Sequence, residues 1–401
     1  MTTPTKSAQG HIPELQLVRA LAILGVITVH ASAQATITMK ESAYFYFYNF
    51  INTFMRFGTP TFILLSSFVL FYSYYRRPLD AKLLSGFYKK RLLYIIVPYV
   101  VFSAIYFAYV KQVNALPLWT IDALAEFARK LLKGEVYAHL YFVFISIQFY
   151  LLFPLLLWAC KRWKSFAYAL VPLGFVLQWI FVLLNFYDWQ LDNKGSWSPA
   201  YFSLFFLGAA LGIFYPKLKN WLAMTRDNAT RMRVFLWSLL WAAWLGVALT
   251  HVAIYYQLRL HETAYHGLLY ELLWNAHAVL TALIVLHAAY FIQRHLPAIV
   301  SRTLSRLGQF SFGIYLVHLL YQAFYEKLLP PPSAAWALHL HYFCGWVVML
   351  AASWLTVALA SRFVPFSWVL FGNIRRRGDR SPDVTEADGS KVSAGKKTVT
   401  V

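Results

Sequence analysis

Long apolar segments separated by short polar loops run through most of the chain. A helix needs about 20 consecutive apolar residues to cross the hydrocarbon core of a bilayer. By that measure ten segments are long enough, at about 13–35, 49–75, 88–110, 138–160, 166–187, 197–216, 234–256, 268–292, 307–327 and 339–364. The pattern predicts an all-α, polytopic membrane helix bundle. Because the number of spans is even, both termini lie on the same side of the membrane.

Composition and charge agree with this architecture. Of the 401 residues, 60% are hydrophobic and 13% are charged, which excludes an ordinary soluble domain. The formal net charge is +20, and the basic residues fall mainly in alternate loops and at the termini. This positive-inside distribution predicts cytoplasmic termini and contact with membrane lipids, not with nucleic acid.

The chain lacks the sequence patterns of several cofactor sites. Its two cysteines, Cys160 and Cys344, form neither a disulfide framework nor the ligand spacing of a zinc site. No glycine-rich phosphate loop stands between a strand and a helix. We therefore expect no metal site and no bound cofactor.

The apolar pattern also divides the chain into three parts. We expect a short cytoplasmic N-terminus at 1–12, a membrane domain at 13–371 and a disordered, basic cytoplasmic tail at 372–401. Within the membrane domain, residues 120–135 alternate charged and apolar positions at helical spacing. This pattern predicts an amphipathic helix on the outer membrane surface.

Arg19 and His30 lie inside the first apolar segment. Ionisable residues at membrane depth are costly and often mark function. Their eleven-residue separation leaves the two side chains roughly 20° apart around a helix but ~16 Å apart along it. One helix face therefore carries a fixed positive charge near one membrane surface and a titratable base deeper in the bundle.

Each of these two residues has a second interpretation. His30 is either a general base, because imidazole titrates near neutrality, or a helix-end histidine bonded to the backbone. Arg19 either anchors an anion or extends toward the lipid headgroups. In addition, Ala31, Ser32 and Ala33 resemble a signal-peptidase site, and cleavage there would remove both residues.

Five stretches resemble the acyltransferase-3 family of integral-membrane acyltransferases, in the order and topology of that family. They are RALAILGVITVH, FMRFGTPTFILLSSFVL, FYKKRLLYIIVPY, HLYFVFISIQFYLLFPLLL and LGQFSFGIYLVH. The similarity covers about residues 13–366. Ser67 stands where the family commonly has glycine, and Tyr94 stands where it commonly has a second arginine.

This resemblance implies transfer of an acyl group, often acetyl, from cytoplasmic acyl-coenzyme A to a hydroxyl of a cell-envelope or exported carbohydrate. It also implies a bacterial plasma membrane and partners from envelope polysaccharide synthesis. Our hypothesis is that coenzyme A phosphates bind a cationic group and that His30 acts as the base. The cations are Arg19, Lys89, Lys90 and Arg91, and the candidates for contacting the substrate or the oxyanion are Tyr150, Tyr315 and His318.

Other functions stay open at this point. Some proteins that resemble this family export or flip a polysaccharide or a lipid-linked sugar. A membrane sensor that has lost the chemistry is a further alternative, although the presence of both Arg19 and His30 argues against it. Within the enzymatic interpretation, a covalent acyl-histidine or acyl-serine intermediate competes with direct transfer.

Overall fold

The computed structural model describes residue 10 and residues 12–374. These residues form helices joined by loops and contain no strand. The α-helices are α1 (Glu14–Ala33), α2 (Ala35–Thr38), α3 (Phe45–Phe54), α4 (Gly58–Tyr74), α5 (Ala81–Arg91), α6 (Val97–Val113), α7 (Ile121–Lys133), α8 (Tyr141–Arg162), α9 (Lys164–Leu184), α10 (Phe202–Leu222), α11 (Arg231–His261), α12 (Gly267–His295), α13 (Ala298–Leu328), α14 (Ala335–Phe363) and α15 (Trp368–Phe371). Two π-helical turns, Leu92–Ile96 and Asn185–Trp189, follow α5 and α9. The parts of the predicted termini at 1–9, 11 and 375–401 lie outside the described residues.

Nine helical segments in the described part of the chain are long and apolar enough to cross a membrane. They are Glu14–Ala33, Phe45–Tyr74, Ala81–Val113, Tyr141–Arg162, Lys164–Trp189, Ser198–Leu222, Arg231–His261, Gly267–His295 and Trp336–Phe363. The remaining predicted segment, 307–327, lies within α13, which has 31 residues but is less apolar because of Gln309, His318 and Gln322. Since α13 packs along α1 and α14, it belongs to the same bundle. The predicted polytopic helix bundle is confirmed.

The second predicted segment, 49–75, is a broken helix. Helix α3 ends at Phe54 and α4 begins at Gly58, so Arg56 lies in the turn between them. The turn lies directly against α1, since a Cβ on Gly58 would come within 2.6 Å of the carbonyl oxygen of Ala22. The break therefore places a cationic side chain beside the helix that carries Arg19 and His30.

Small residues bring α10 and α4 into close contact. Gly208 and Gly212 are one turn apart on α10, and a Cβ on either would lie 2.3–2.5 Å from a carbonyl oxygen of α4. The hydrophobic effect does not drive helices together in lipid, so helices in membranes associate through such close van der Waals packing. The GxxxG spacing thus lets the α4 and α10 backbones approach closely, and the rings of Phe71 and Phe205 pack beside them.

Helix α1 lies at the centre of the bundle. It packs against α3, α4, α12, α13 and α14, and Leu17, Ile23 and Ile27 are fully buried. Its closest approach is to α13, where the hydrogen of Gly308 faces the backbone of Gln16. Such packing is expected of a permanent span and not of a cleaved signal peptide.

The predicted surface helix is present as α7, outside the spanning segments. The Thr120 hydroxyl caps its first turn, and Gly134 ends it with a φ of 71°. Glu126 accepts a hydrogen bond from Lys111 of α6 at 2.7 Å and forms an ion pair with Lys130 at 2.8 Å. These two ammonium groups lower the pKa of the Glu126 carboxyl to about 2. They also attach α7 to the bundle.

Candidate active site

The bundle contains three neighbouring cavities, and α1 lines two of them. The inner cavity, at the predicted cytoplasmic end, contains Arg19 and has a volume of about 320 Å³. The middle cavity contains His30 and has about 290 Å³, and the outer cavity contains Glu271 and has about 650 Å³. Cavities of about 300–1,000 Å³ are typical of small-molecule sites. The volumes are therefore sufficient for substrates at both ends of the bundle.

Shared lining residues connect the three cavities. Tyr315 lines both the inner and the middle cavity. Arg56, Tyr141 and Trp274 line both the middle and the outer cavity. A continuous row of side chains therefore leads from the inner mouth, past His30, to the outer mouth.

Three of the four predicted phosphate-binding cations line the inner cavity. They are Arg19, Lys90 and Arg91, whereas Lys89 is exposed and is not among the lining residues. Lys90 and Arg91 end α5 where the π-helical turn begins, and such turns are frequent at functional sites. The structure thus brings together cations from α1 and α5, which are distant in sequence.

The two arginines of the inner cavity are held without carboxylate partners among the described residues. Arg19 donates to the side-chain oxygen of Gln16 at 3.3 Å. The Arg91 guanidinium lies 4.8 Å from the centre of the Tyr150 ring, and its buried Nε has no hydrogen-bond partner. A buried donor without a partner is a group that a bound anion can satisfy. Tyr150 lines this inner cavity and is not among the residues that line the middle cavity with His30.

His30 and His139 line the middle cavity, and His318 completes a cluster of three histidines beside it. The rings of His30 and His318 have centroids 5.2 Å apart, and those of His318 and His139 are also 5.2 Å apart. His30 is half-buried, whereas His139 and His318 are almost fully buried. The cluster joins the first-helix motif to two later motifs of the sequence.

Backbone carbonyls assign the tautomers of the two buried rings. His318 Nδ1 lies 2.7 Å from the carbonyl oxygen of Tyr315, and His139 Nε2 lies 3.3 Å from that of Leu316. Because a carbonyl only accepts, each of these nitrogens carries the proton. The other nitrogens, His318 Nε2 and His139 Nδ1, have no hydrogen-bond partner. Both are unprotonated nitrogens in the cluster that contains His30.

Tyr315 has a positional role in this cluster. Its hydroxyl donates to the carbonyl oxygen of His139 at 2.5 Å, which ties α13 to the segment before α8. Two turns further along α13, on nearly the same face, Gln322 donates to the carbonyl oxygen of His30 at 3.2 Å. These two bonds hold the helices that carry the histidines in register.

The outer cavity combines aromatic and acidic side chains. Glu271 forms an ion pair with Lys194, and Glu135 accepts a hydrogen bond from Asn193 at 2.7 Å. Trp274 meets the Tyr201 ring edge-on, with centroids 5.6 Å apart. Flat aromatic faces beside hydrogen-bonding carboxylates and amides are suited to a polar ligand with an apolar face, such as a sugar.

Sequence reasoning assigned no role to Arg56. A signal was present, because a lone arginine inside an apolar segment meets the same criterion that selected Arg19. Gly58 and Pro60, just after it, are typical of a helix boundary. Together these features could have indicated a break with a cation in it.

Among residues 10 and 12–374, no group of three or more His, Cys, Asp or Glu side chains is arranged to hold a metal ion.

Comparison with known families agrees with the geometry. The family model described as an acyltransferase domain, that of acyltransferase-3, matches residues 12–358. The match covers α1 to most of α14 and includes all three cavities except the residues after α14. Neither curated proteins nor solved structures give a significant match. The chain therefore belongs to the acyltransferase-3 family, and it is a multi-pass membrane acyltransferase.

Proposed function

We propose that this acyltransferase moves an acetyl group from acetyl-coenzyme A to a hydroxyl of a cell-envelope or exported carbohydrate in a bacterial plasma membrane. The observation that carries the proposal is the series of three cavities. One end is cationic, the middle holds the histidine cluster, and the other end is aromatic and polar. Two substrates that approach from opposite faces can meet beside His30.

The inner cavity suits the donor. Coenzyme A carries its phosphates at one end of a long, thin arm and its thioester at the other. Arg19, Lys90 and Arg91 supply three cations at the mouth, and arginine fits phosphate with two parallel hydrogen bonds. Tyr315 marks the passage through which the arm extends to the middle cavity.

The outer cavity suits the acceptor. Trp274 provides a flat face for a sugar ring, while Glu271, Glu135 and Asp192 provide acceptors for its hydroxyls. Because Trp274 also lines the middle cavity, a sugar stacked on it has a hydroxyl directed toward His30.

In the proposed reaction, His30 removes the proton of the acceptor hydroxyl as the oxygen attacks the thioester carbonyl carbon. The carbonyl electron pair moves onto its oxygen and then returns, so that the carbon–sulfur bond breaks. The imidazolium gives its proton to the leaving thiolate, and the products are the ester and free coenzyme A. General-base assistance of this kind contributes roughly 10²–10⁴-fold.

Membrane vesicles from cells that produce the protein test this proposal. We expect inverted vesicles supplied with acetyl-labelled acetyl-coenzyme A to transfer label to glycan, and right-side-out vesicles to transfer none. His30→Ala should reduce the rate at least 100-fold. The matched control is His295→Ala, at the exposed end of α12, which should leave the rate unchanged.

Each result that contradicts the proposal is distinct. Wild-type turnover by His30→Ala excludes His30 as the base. Labelled protein that accumulates without glycan replaces direct transfer by an acyl-enzyme intermediate. Glycan that crosses the membrane without any label supports the exporter alternative.

A further inference from the structure

Arg56 is a cationic side chain at the junction of the middle and outer cavities. We propose that Arg56 stabilises the oxyanion that forms on the thioester carbonyl when the acceptor attacks. The inference rests on acyl transfer beside His30, as proposed above. In that reaction His30 accepts the proton of the acceptor hydroxyl, and Arg56 stabilises the negative charge on the carbonyl oxygen.

Neutral groups hold Arg56 in place. Its Nη2 donates to the side-chain oxygen of Asn52 at 3.3 Å, and its guanidinium stacks over the Tyr255 ring at 4.5 Å. Stacking covers one face of the guanidinium and leaves its N–H groups, which lie in the guanidinium plane, pointing outward. Most of the five donors of Arg56 are therefore available to a ligand in the cavity.

A second arginine lies behind the first. Arg259 donates to the same Asn52 oxygen at 2.8 Å and to the Asn49 side-chain oxygen at 3.0 Å, and it stacks on Tyr255 at 5.3 Å. Within the described residues, neither guanidinium has a hydrogen bond or ion pair to a carboxylate. Two like charges close together without a counter-ion favour an anion in the adjacent space, and such fixed charge is effective where water is scarce.

The Tyr315 hydroxyl of the middle cavity is already engaged. Tyr315 donates to the carbonyl oxygen of His139. The guanidinium of Arg56 is therefore the better source of free donors. Gly58 and Thr59, at the start of α4, line the same cavity, and the first backbone N–H groups of a helix have no partner within it.

In the proposed attack, the acceptor oxygen bonds to the carbonyl carbon while its proton moves to His30. The carbonyl electron pair becomes an oxyanion paired with Arg56. When that pair reforms the carbonyl, the carbon–sulfur bond breaks and the thiolate takes the proton from His30. Removing one such donor typically costs 10²–10³-fold in kcat.

Two ketone analogues of acetyl-coenzyme A test the role of Arg56 without an acceptor. In both, a methylene group replaces the sulfur, and one carries a trifluoromethyl group that makes the ketone form a tetrahedral hydrate. The methyl ketone mimics the bound donor, and the hydrate mimics the tetrahedral intermediate. We expect the purified wild-type protein to bind the trifluoromethyl ketone more tightly, and Arg56→Met to reduce this preference about 100-fold. Binding of the methyl ketone should not change, which also reports that the variant is folded.

Arg259→Met is the matched control, because it removes a guanidinium from the same asparagine and tyrosine but not from the cavity lining. It should reduce the preference far less than Arg56→Met does, because its guanidinium does not line the cavity, and Arg56→Lys should retain part of the preference. A preference unchanged in Arg56→Met, or lost equally in Arg259→Met, overturns the inference. Equal binding of both ketones by the wild-type protein overturns it while leaving the donor proposal intact. If the wild-type protein binds neither ketone, the acetyl-coenzyme A donor itself is wrong, and the inference fails with it.

Discussion

Replacing Gly308 with alanine should separate the two helices on which the proposed chemistry depends. A Cβ at Gly308 would lie 1.9 Å from the backbone oxygen of Gln16, and real Cβ contacts essentially never fall below 3.0 Å. The α1 and α13 backbones must therefore move apart by about 1.1 Å at this point. Overpacking of this kind typically costs ~1–3 kcal/mol of folding free energy.

The same displacement should reach both functional ends of α1. Gln16 holds the Arg19 guanidinium at 3.3 Å, and α1 and α13 carry the contacting rings of His30 and His318. A misplacement of about 1 Å in a reacting group can lower a rate about 100-fold. We expect Gly308→Ala to lower the rate of acetyl transfer by about that factor.

The assay compares the thermal unfolding midpoint in detergent with the initial rate of label transfer in vesicles. Gly246→Ala is the matched control, because no atom lies within 4 Å of its added Cβ. The control should keep the rate and should not lower the midpoint, because alanine is favoured over glycine inside a helix such as α11. A Gly308→Ala protein with the wild-type midpoint refutes the packing argument. One that is less stable but equally active refutes the dependence of the chemistry on the α1–α13 spacing.

Three further predictions concern separate parts of the molecule. His318→Asn should lower kcat at least tenfold without changing the donor KM, because it removes a ring nitrogen that faces the histidine cluster; an unchanged kcat contradicts this. Trp274→Ala should raise the acceptor KM roughly tenfold, since an aromatic contact is worth up to ~1.5 kcal/mol, and an effect on the donor KM instead would contradict it. The lowered pKa of Glu126 means that its pairs with Lys111 and Lys130 stabilise the fold above about pH 4.5 and lose this effect as pH falls toward 2. Unfolding midpoints measured across this range should therefore converge for the wild-type protein and Glu126→Gln at low pH; a constant difference contradicts the assignment.

The spans could be predicted from the sequence because lipid imposes a strong constraint on every residue in it. A backbone in hydrocarbon must satisfy its own hydrogen bonds, so long apolar runs become helices regardless of the rest of the fold. The segment 138–160, for example, is observed as α8 at Tyr141–Arg162. The constraint is weaker for α13, whose apolar stretch is interrupted by polar side chains that face other helices. Only residues 307–327 of its 31 residues were apparent from hydropathy.

The site could be predicted only where its residues share one helix. Periodicity alone placed Arg19 and His30 on a common face of α1. It could not place His139 and His318 beside His30, because their proximity depends on helix packing between regions distant in sequence. The break at Arg56 was hidden for a different reason: a window of mean hydropathy averages over a three-residue turn.

The distribution of fixed and titratable groups suggests why histidines occupy the centre of this bundle. A carboxylate that orients a catalytic histidine, as in a serine-protease triad, would place a permanent charge at membrane depth. His318 instead lies beside His30 as a neutral ring, because its own proton is held by the carbonyl oxygen of Tyr315. In the proposed reaction the histidines stay neutral until an imidazolium forms beside the oxyanion in the same cavity. The oxyanion meets Arg56, whose guanidinium reaches the polar outer cavity and so avoids complete burial. A bundle built in this way separates charge only when both substrates are present.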